Sequence, residues 1–200
     1  MTILVISTAS PALSLALCDG DTLMAHDHRV IGRGHAEALV PAIAAMLADR
    51  APPAAVLVDL GPGSFTGIRI GIAAARALGL AWGVKVNGFS SAALVAARAF
   101  AERPGLDSVR VLLDGGRGQL LVSDWTTGFD SSETQTLTAD TVPNDRTMAG
   151  AGTAMLPKGH DIVHDGHPDT AFVRTLPAAL RERAPAAHYI RPPDAMLPLG

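Results

Sequence analysis

The sequence predicts an α/β protein of two similar lobes, each a mixed sheet flanked by helices, with a smaller and degenerate second lobe. Three strand-like segments followed by a helical one open the chain, and a weaker copy of that order begins after residues 102–108. Such repetition indicates two units of one kind. Apolar residues make up 48% of the 200 residues and charged residues 18%, which is enough for a substantial core. We place the lobes at residues 1–104 and 105–200.

The first lobe is predicted to begin with an antiparallel meander. The run at 3–8 is almost continuously apolar, as in a central strand, and the run at 12–19 alternates leucine with smaller residues, as in a half-buried strand. The more polar run at 22–31 is typical of a strand towards the edge of a sheet. Short turns join the runs, so consecutive strands should pair.

Helices and two further strands complete the predicted first lobe. Leu39, Ile43 and Leu47 recur at helical spacing, and Pro41 among them should bend the helix. The helices are predicted at 34–50, 68–83 and 90–100, the last starting at Ser90 or Ser91, and the strands at 54–60 and 84–88.

The second lobe is predicted to start after residues 102–108, where proline, glycine and polar residues occur together. Residues 188–200 are proline-rich and predicted to be extended. The elements expected between these segments are strands at 109–114, 119–125 and 134–138, short strands or loops at 148–152 and 161–165, and a final helix at 168–183.

Composition narrows the class of protein. The net charge is −3, with no run of Lys or Arg, whereas a protein that binds nucleic acid by itself normally carries a basic stripe. The one cysteine, Cys18, lies in an apolar context and is expected to be buried, which suits a reducing compartment. The sequence shows neither a secretory signal nor a membrane-spanning run, so we expect a cytoplasmic protein.

A glycine loop, GPGSFTG at 61–67, separates a strand from a helix, as phosphate-binding loops do. It lacks the lysine of a P-loop. Thr66 occupies the last glycine position of a dinucleotide fingerprint, and both glycine positions of a hydrolase elbow hold other residues, Pro62 and Thr66. We therefore favour a structural loop, and a bound phosphate is the alternative.

The helix after this loop carries a small residue at every fourth position: Gly67, Gly71, Ala75 and Gly79. Each glycine in a helix interior costs about 1 kcal/mol relative to alanine, so close approach of another backbone is expected. That backbone belongs either to the same lobe or to another subunit. The first helix offers a similar set for stacking, namely Ala36, Ala44, Ala45 and Ala48.

Two groups of histidines have spacings that zinc sites also use. His160, His164 and His167 occur with aspartates, but Gly166 and Pro168 break any helix there, so we expect solvated strand and loop ends. A second group, His26 and His28 on one strand face with His35 shortly after, is likewise not expected to bind metal. No local signature marks a nucleophile, so neither a catalytic residue nor a cofactor is predicted.

Five segments occur in an order that closely resembles one family: ILVISTAS at 3–10, GHAEALVPAI at 34–43, GPGSFTGIRIG at 61–71, LLDGGRGQLL at 112–121 and HYIR at 188–191. They resemble the TsaB (YeaZ) family of bacterial tRNA threonylcarbamoyladenosine biosynthesis proteins. The resemblance implies the actin-like, Hsp70-like ATPase fold with two RNase-H-like lobes. It also implies a non-catalytic partner of TsaD, which transfers threonylcarbamoyl to the tRNA adenosine beside the anticodon.

The resemblance implies further partners, and the sequence departs from the family pattern at two places. TsaE, an ATPase, would join the complex, and tRNA would be reached only through the complex. Without TsaD, we expect the apolar surface of the first two helices to associate with itself, so that the isolated chain forms a homodimer. Relatives usually carry an acid where this chain has Ser7, and often GDG where it has Gly150-Ala151-Gly152. A serine lacks the charge that organises metal and phosphate, so ATP hydrolysis is disfavoured.

Two functions follow as hypotheses. The first is a scaffold that docks on TsaD through the first two helices. Its predicted contacts are His35, Leu39, Val40, Ile43, Arg69, Gly71, Ile72, Ala75 and Arg76. The second is an ATPase or small-molecule kinase that uses the cleft between the lobes, with Thr8, Gly61 and Gly63 near the phosphates.

Overall fold

A computed structural model describes residues 1–190 as two five-stranded mixed sheets with helices packed against them. This confirms the predicted fold class. The first sheet contains β1 (Thr2–Ser7), β2 (Ala12–Asp19), β3 (Thr22–Val30), β4 (Ala55–Asp59) and β5 (Lys85–Phe89) in the order β3-β2-β1-β4-β5. Its helices are α1 (His35–Leu47), α2 (Phe65–Trp82) and α3 (Ser91–Glu102).

The second sheet repeats the topology of the first. It contains β6 (Ser108–Gly116), β7 (Gln119–Thr126), β8 (Gln135–Thr138), β9 (Met148–Ala149) and β10 (Ile162–His164), in the order β8-β7-β6-β9-β10. In both sheets the first three strands are antiparallel, and the last two run parallel to the first. The predicted repetition of the lobe is therefore confirmed at the level of strand order.

The second lobe is degenerate because short 3₁₀ segments stand where the first lobe has helices. Residues Ala139–Thr141 connect β8 to β9, and Ala151–Met155 connect β9 to β10. The single helix predicted at 168–183 is wrong. A 3₁₀ segment, Thr170–Thr175, is followed by Pro177 and a one-turn helix, α4 (Ala178–Arg181), because proline supplies no backbone N–H to continue the helix.

The buried apolar residues form three layers, one between the two sheets and one on the outer side of each sheet. Helices α1 and α2 cover one face of the first sheet, where Leu4, Ile6 and Val58 are buried. Helix α3 lies between the sheets and contributes to a cluster with Val5 of β1 and Val111 of β6. Since neighbouring residues of β1 face opposite layers, the near-continuous apolar run of this central strand has a direct explanation.

Helix α3 contacts both sheets, which concerns the predicted division of the chain into two lobes. It follows the last strand of the first sheet and packs against β6, β7, β9 and β10 of the second. The boundary between residues 104 and 105 stays a prediction. Residues 191–200 lie outside the described residues. They belong to the predicted second lobe and to the segment predicted to be extended. Within residues 1–190, none of the helices combines the length and the apolar character that a membrane span requires.

Candidate functional site

A cleft of about 810 Å³ opens between the two lobes. One wall is the glycine loop with the start of α2, next to the turn that joins β1 to β2. The opposite wall is the β6–β7 hairpin around Asp114, and His167 and Tyr189 close the remaining side. The glycine loop thus lies on a cavity that both lobes line.

The glycine loop is held by its own hydrogen bonds and by the turn that follows the first strand. Ser64 caps α2, its side chain accepting a 3.2 Å hydrogen bond from the Gly67 N–H, and its own N–H donates to Ala9 O over 2.7 Å. Glycine is required at position 63, because an added Cβ would collide with the Ala9 carbonyl. Gly61 has a φ of 93°, a backbone angle that residues with a side chain rarely adopt. The Gly61–Pro62 peptide is cis.

A buried carboxyl group supports the loop from below. Asp59, 1% exposed at the end of β4, accepts hydrogen bonds from the Ser7 hydroxyl (2.7 Å), the Ser91 hydroxyl (2.6 Å) and the Gly61 N–H (2.9 Å). Burial raises the pKa of the Asp59 carboxyl above its ordinary value, although the three hydrogen bonds oppose this shift. Asp59 therefore organises Ser7, the loop and the start of α3 rather than facing the cleft.

The three residues predicted near phosphates occupy different environments. Thr8 is 1% exposed, and its hydroxyl donates a 2.7 Å hydrogen bond to Gly67 O. Gly61 is buried above Asp59, and Gly63 alone of the three lines the cleft. The structure thus leaves Gly63 and the α2 N-terminus available to a ligand, while the Thr8 hydroxyl is engaged within the protein.

The small-residue ridge of α2 faces its own sheet. A Cβ at Gly71 would lie 2.6 Å from Thr8 Oγ1, one at Gly67 would collide with Thr8 O, and one at Gly79 would collide with Val86. Ala75 is completely buried in the same layer. The close contacts of the ridge are therefore made within the same lobe, with Thr8, Val58 of β4 and Val86 of β5, which is the first of the two alternatives that the sequence left open.

Burial also divides the predicted partner contacts. His35, 8% exposed, places its Nε2 atom 3.3 Å from Ala12 O. Val40 is 60% exposed, and Arg69 and Arg76 are exposed as well. The residues of the predicted set that are buried within the chain are His35, Leu39, Ile43, Gly71, Ile72 and Ala75. Their contact with a partner stays a prediction.

Two exposed arginines of α2 contact the C-terminal segment. The Arg69 guanidinium lies 3.6 Å from the centroid of the Phe65 ring, and its Nε donates a 2.9 Å hydrogen bond to the Tyr189 hydroxyl. The Phe65 and Tyr189 rings lie 4.8 Å apart. Arg76 donates to Pro185 O over 2.8 Å. The segment around residues 185–189 is thereby held along α2 at the edge of the cleft.

A second cluster lies away from the cleft, where β3 meets the segment after β10. His26 and His28 project from one side of β3 with stacked rings, 6.1 Å between centroids. His26 Nε2 is 2.7 Å from Oδ1 of Asp169, a residue only 8% exposed. One ligand atom from each of the three residues lies within 4.8 Å of the others.

The other predicted histidine group is dispersed. His164 Nε2 accepts a hydrogen bond from the Gly166 N–H, and His164 Nδ1 lies 3.5 Å from Glu102. His167 instead lines the cleft. Within residues 1–190, His160, His164 and His167 are not part of a cluster of candidate metal ligands.

Sequence reasoning missed Asp59 and the pairing of Asp169 with His26. Asp59 is the last residue of the buried strand β4, and a polar residue at that end of a buried strand was an available signal. Asp169 is separated from His26 by 143 positions, and no local pattern could pair them.

Two sheets of one topology, a shared helix between them and a cleft at their junction define the actin-like ATPase fold. A model of the family described as TsaD, tRNA N6-adenosine threonylcarbamoyltransferase, matches residues 29–193. The chain belongs to this family. Its resemblance to TsaB (YeaZ) is also confirmed by the relatives described next.

The chain is 33% identical over 124 residues to the tRNA threonylcarbamoyladenosine biosynthesis protein TsaB of Bacillus subtilis, covering 60% of this chain and 53% of the relative. It is 31% identical to TsaB of Escherichia coli, covering 62% and 55%. The matches span about half the length of these relatives. The solved structure of YeaZ from Pseudomonas aeruginosa superimposes with a TM-score of 0.72 at 25% identity, covering 85% of this chain and 87% of that one.

Proposed function

We propose that this chain is a non-catalytic subunit in tRNA threonylcarbamoyladenosine biosynthesis and that it docks on a TsaD-like subunit. The family match and the names of the TsaB relatives support the pathway. The net charge of −3 supports a protein that reaches tRNA through a complex rather than alone. A TsaE-like ATPase and a homodimer of the isolated chain belong to the same proposal.

The observation that carries the docking proposal is an exposed, largely apolar face on α1 and α2. We call it the outer face and define it by Val40, Arg69, Ala73, Arg76 and Leu80. Val40 is 60% and Leu80 87% exposed, although both are large apolar side chains. Large exposed apolar residues often mark protein interfaces, and arginines are enriched there.

The buried residues of these helices have an indirect role in this proposal. Leu39 and Ile43 fix α1 on the first sheet, and Gly71 and Ala75 allow α2 to lie close to it. They set the position of the outer face without touching the partner. The proposed contact set therefore leaves out the buried residues of the sequence-based set and adds Ala73 and Leu80.

The loss of catalysis is supported by the surroundings of Ser7. The position expected to carry an acid holds a hydroxyl, and the nearest carboxyl, Asp59, is buried under three hydrogen bonds from its own chain. A carboxyl in that state is not available to organise a metal ion and phosphates in the cleft.

Affinity purification from the native cell tests the proposal. We expect the TsaD-like subunit to co-purify with the tagged chain, and depletion of the chain to lower the threonylcarbamoyladenosine content of tRNA measured by mass spectrometry. A tagged Leu80→Glu variant should retain its fold, because Leu80 is exposed, and should lose the subunit. Normal tRNA modification after depletion would contradict the proposal.

A second candidate is nucleotide binding in the cleft, and the geometry of Gly63 and Ser64 favours it. Both lie on the cleft at the N-terminus of the 18-residue helix α2, where backbone N–H groups and the helix dipole attract anions. Calorimetry with ATP and Mg²⁺ separates the possibilities. Micromolar binding with turnover would favour an ATPase or small-molecule kinase, and binding without turnover would leave the scaffold proposal intact.

A further inference from the structure

We propose that His26, His28 and Asp169 form a binding site for a divalent transition metal, most specifically Zn²⁺, that clasps the edge of the first sheet to the segment following the second. Two imidazoles and one carboxylate match the ligands that zinc takes in proteins. Exposure of His26 leaves space for water as a further ligand.

The backbone brings the ligands together. His26 and His28 are two positions apart on β3, so their side chains emerge on the same side of the strand. Asp169 is the N-cap of the segment Thr170–Thr175, and its Oδ1 accepts a 2.9 Å hydrogen bond from the Ala171 N–H. The Asp169 carboxylate is therefore oriented by the chain independently of any ion.

The distances suit an ion after a small adjustment. Zinc bonds to nitrogen and oxygen are about 2.0–2.2 Å long, so two ligand atoms of a tetrahedral site lie about 3.4 Å apart. The ligand atoms here lie within 4.8 Å of one another, while His26 Nε2 and Asp169 Oδ1 are 2.7 Å apart. Rotation of the two histidine rings can lengthen the His26–Asp169 contact and shorten the other distances between ligand atoms.

A second observation points to a missing ligand. His28 Nδ1 is buried and has no hydrogen-bond partner within residues 1–190. An unsatisfied buried nitrogen is unfavourable, and native structures contain few of them.

The surrounding charges permit a cation. Arg98 Nη1 lies 3.6 Å from Asp169 Oδ2 and would repel an ion, but its Nε donates to Glu102 over 2.7 Å. Asp27, paired with Arg29 at 3.0 Å, lies between the two histidines in sequence. The Asp27 side chain leaves β3 on the side opposite the two histidines. The charges next to the ligands are therefore those of Asp169, Arg98 and Glu102, which sum to a net negative charge.

The site would exist only in the folded chain, because 143 positions separate His26 from Asp169. An ion that binds only the native state stabilises it. Bound zinc would therefore fix the segment Thr170–Thr175, which also packs on α3, against the edge of the first sheet. We assign the ion a structural role.

Calorimetric titration of ZnSO₄ into the full chain after dialysis against EDTA tests the site. We expect one zinc ion per chain, with an unfolding temperature that rises when zinc is present. His28→Gln and Asp169→Asn should each weaken binding by at least about 100-fold, beyond the 10–100-fold typical of residues that only orient ligands. Asparagine also caps helices well, so Asp169→Asn preserves the local fold.

His188→Gln is the matched control, since His188 is exposed and lies outside the cluster. It should bind zinc like the unmodified chain. Absence of zinc binding by the unmodified chain would overturn the proposal, as would unchanged affinity in a folded His28→Gln or Asp169→Asn variant. If His28→Gln does not fold, Asp169→Asn decides the question.

Discussion

Ser7 on β1 donates a 2.7 Å hydrogen bond to Asp59 on the neighbouring parallel strand β4, and both side chains are buried. The resemblance to TsaB leads one to expect a carboxyl on β1. In this chain the carboxyl lies one strand away and is covered by the glycine loop, through the Gly61 N–H. The pair therefore supports the loop from within the protein.

Replacement of Ser7 by alanine should destabilise the chain by about 1–3 kcal/mol, because a buried carboxyl loses one donor. The free energy of unfolding from urea denaturation measures the effect. Ser131→Ala is the control, since Ser131 is exposed, and it should stay within about 0.5 kcal/mol of the unmodified chain. Equal stability of the Ser7 and Ser131 variants would show that the hydrogen bond contributes nothing.

Asp59→Asn should change how stability depends on pH. The pKa of Asp59 in the folded chain is raised above 3.8 by burial, so the unfolded chain ionises first as the pH rises. The contribution of Asp59 to the free energy of unfolding is then fully present below pH 3.8. It declines as the pH rises through the pKa of the folded chain, by at most about 1.4 kcal/mol per pH unit.

Asparagine keeps a side chain of the same shape but does not ionise in this range. The stability of the unmodified chain minus that of Asp59→Asn should therefore fall as the pH increases from 4 towards neutrality (about pH 7). Urea denaturation of both proteins at a series of pH values provides the measurement. Parallel curves would contradict a raised pKa for Asp59.

Gly71→Ala should destabilise the chain by about 1–3 kcal/mol, because the added methyl group meets the Thr8 hydroxyl in a packed layer. In an open helix position the same change would instead stabilise by about 1 kcal/mol. Ala77→Gly, at an exposed position of α2, measures helix propensity alone and serves as the control. A gain in stability for Gly71→Ala would contradict the packing of the ridge against its own sheet.

Local patterns predicted the first lobe well, because its strands and helices carry strong apolar periodicity. The same patterns identified the strands of the second lobe but not its 3₁₀ segments, since short segments have too little periodicity to separate them from helices. The final helix was wrong because Pro177 interrupts an otherwise helical run. Residues 188–190 line the cleft, which the sequence alone did not indicate.

The site was harder to predict than the fold. The spacing of Gly67, Gly71 and Gly79 correctly indicated a close backbone approach, yet a periodic pattern does not say which backbone approaches. Likewise, His26 and His28 were visible as a pair, but their carboxylate neighbour comes from the other end of the chain. Long-range pairings of this kind depend on topology, which one sequence does not specify residue by residue.

The central claim is that the outer face of α1 and α2 binds a TsaD-like subunit. Leu80 is 87% exposed, so Leu80→Glu places a charge on that face without disturbing the core. The matched control is Ile162→Glu, which introduces the same charge at a 39% exposed apolar residue of β10.

The decisive measurement is the dissociation constant between this chain and the TsaD-like subunit, determined by calorimetry for the three proteins. A central interface residue contributes about 2 kcal/mol or more, so Leu80→Glu should weaken binding by about 30-fold, with Ile162→Glu unchanged. Equal affinity of the unmodified chain and the folded Leu80→Glu variant would contradict the account.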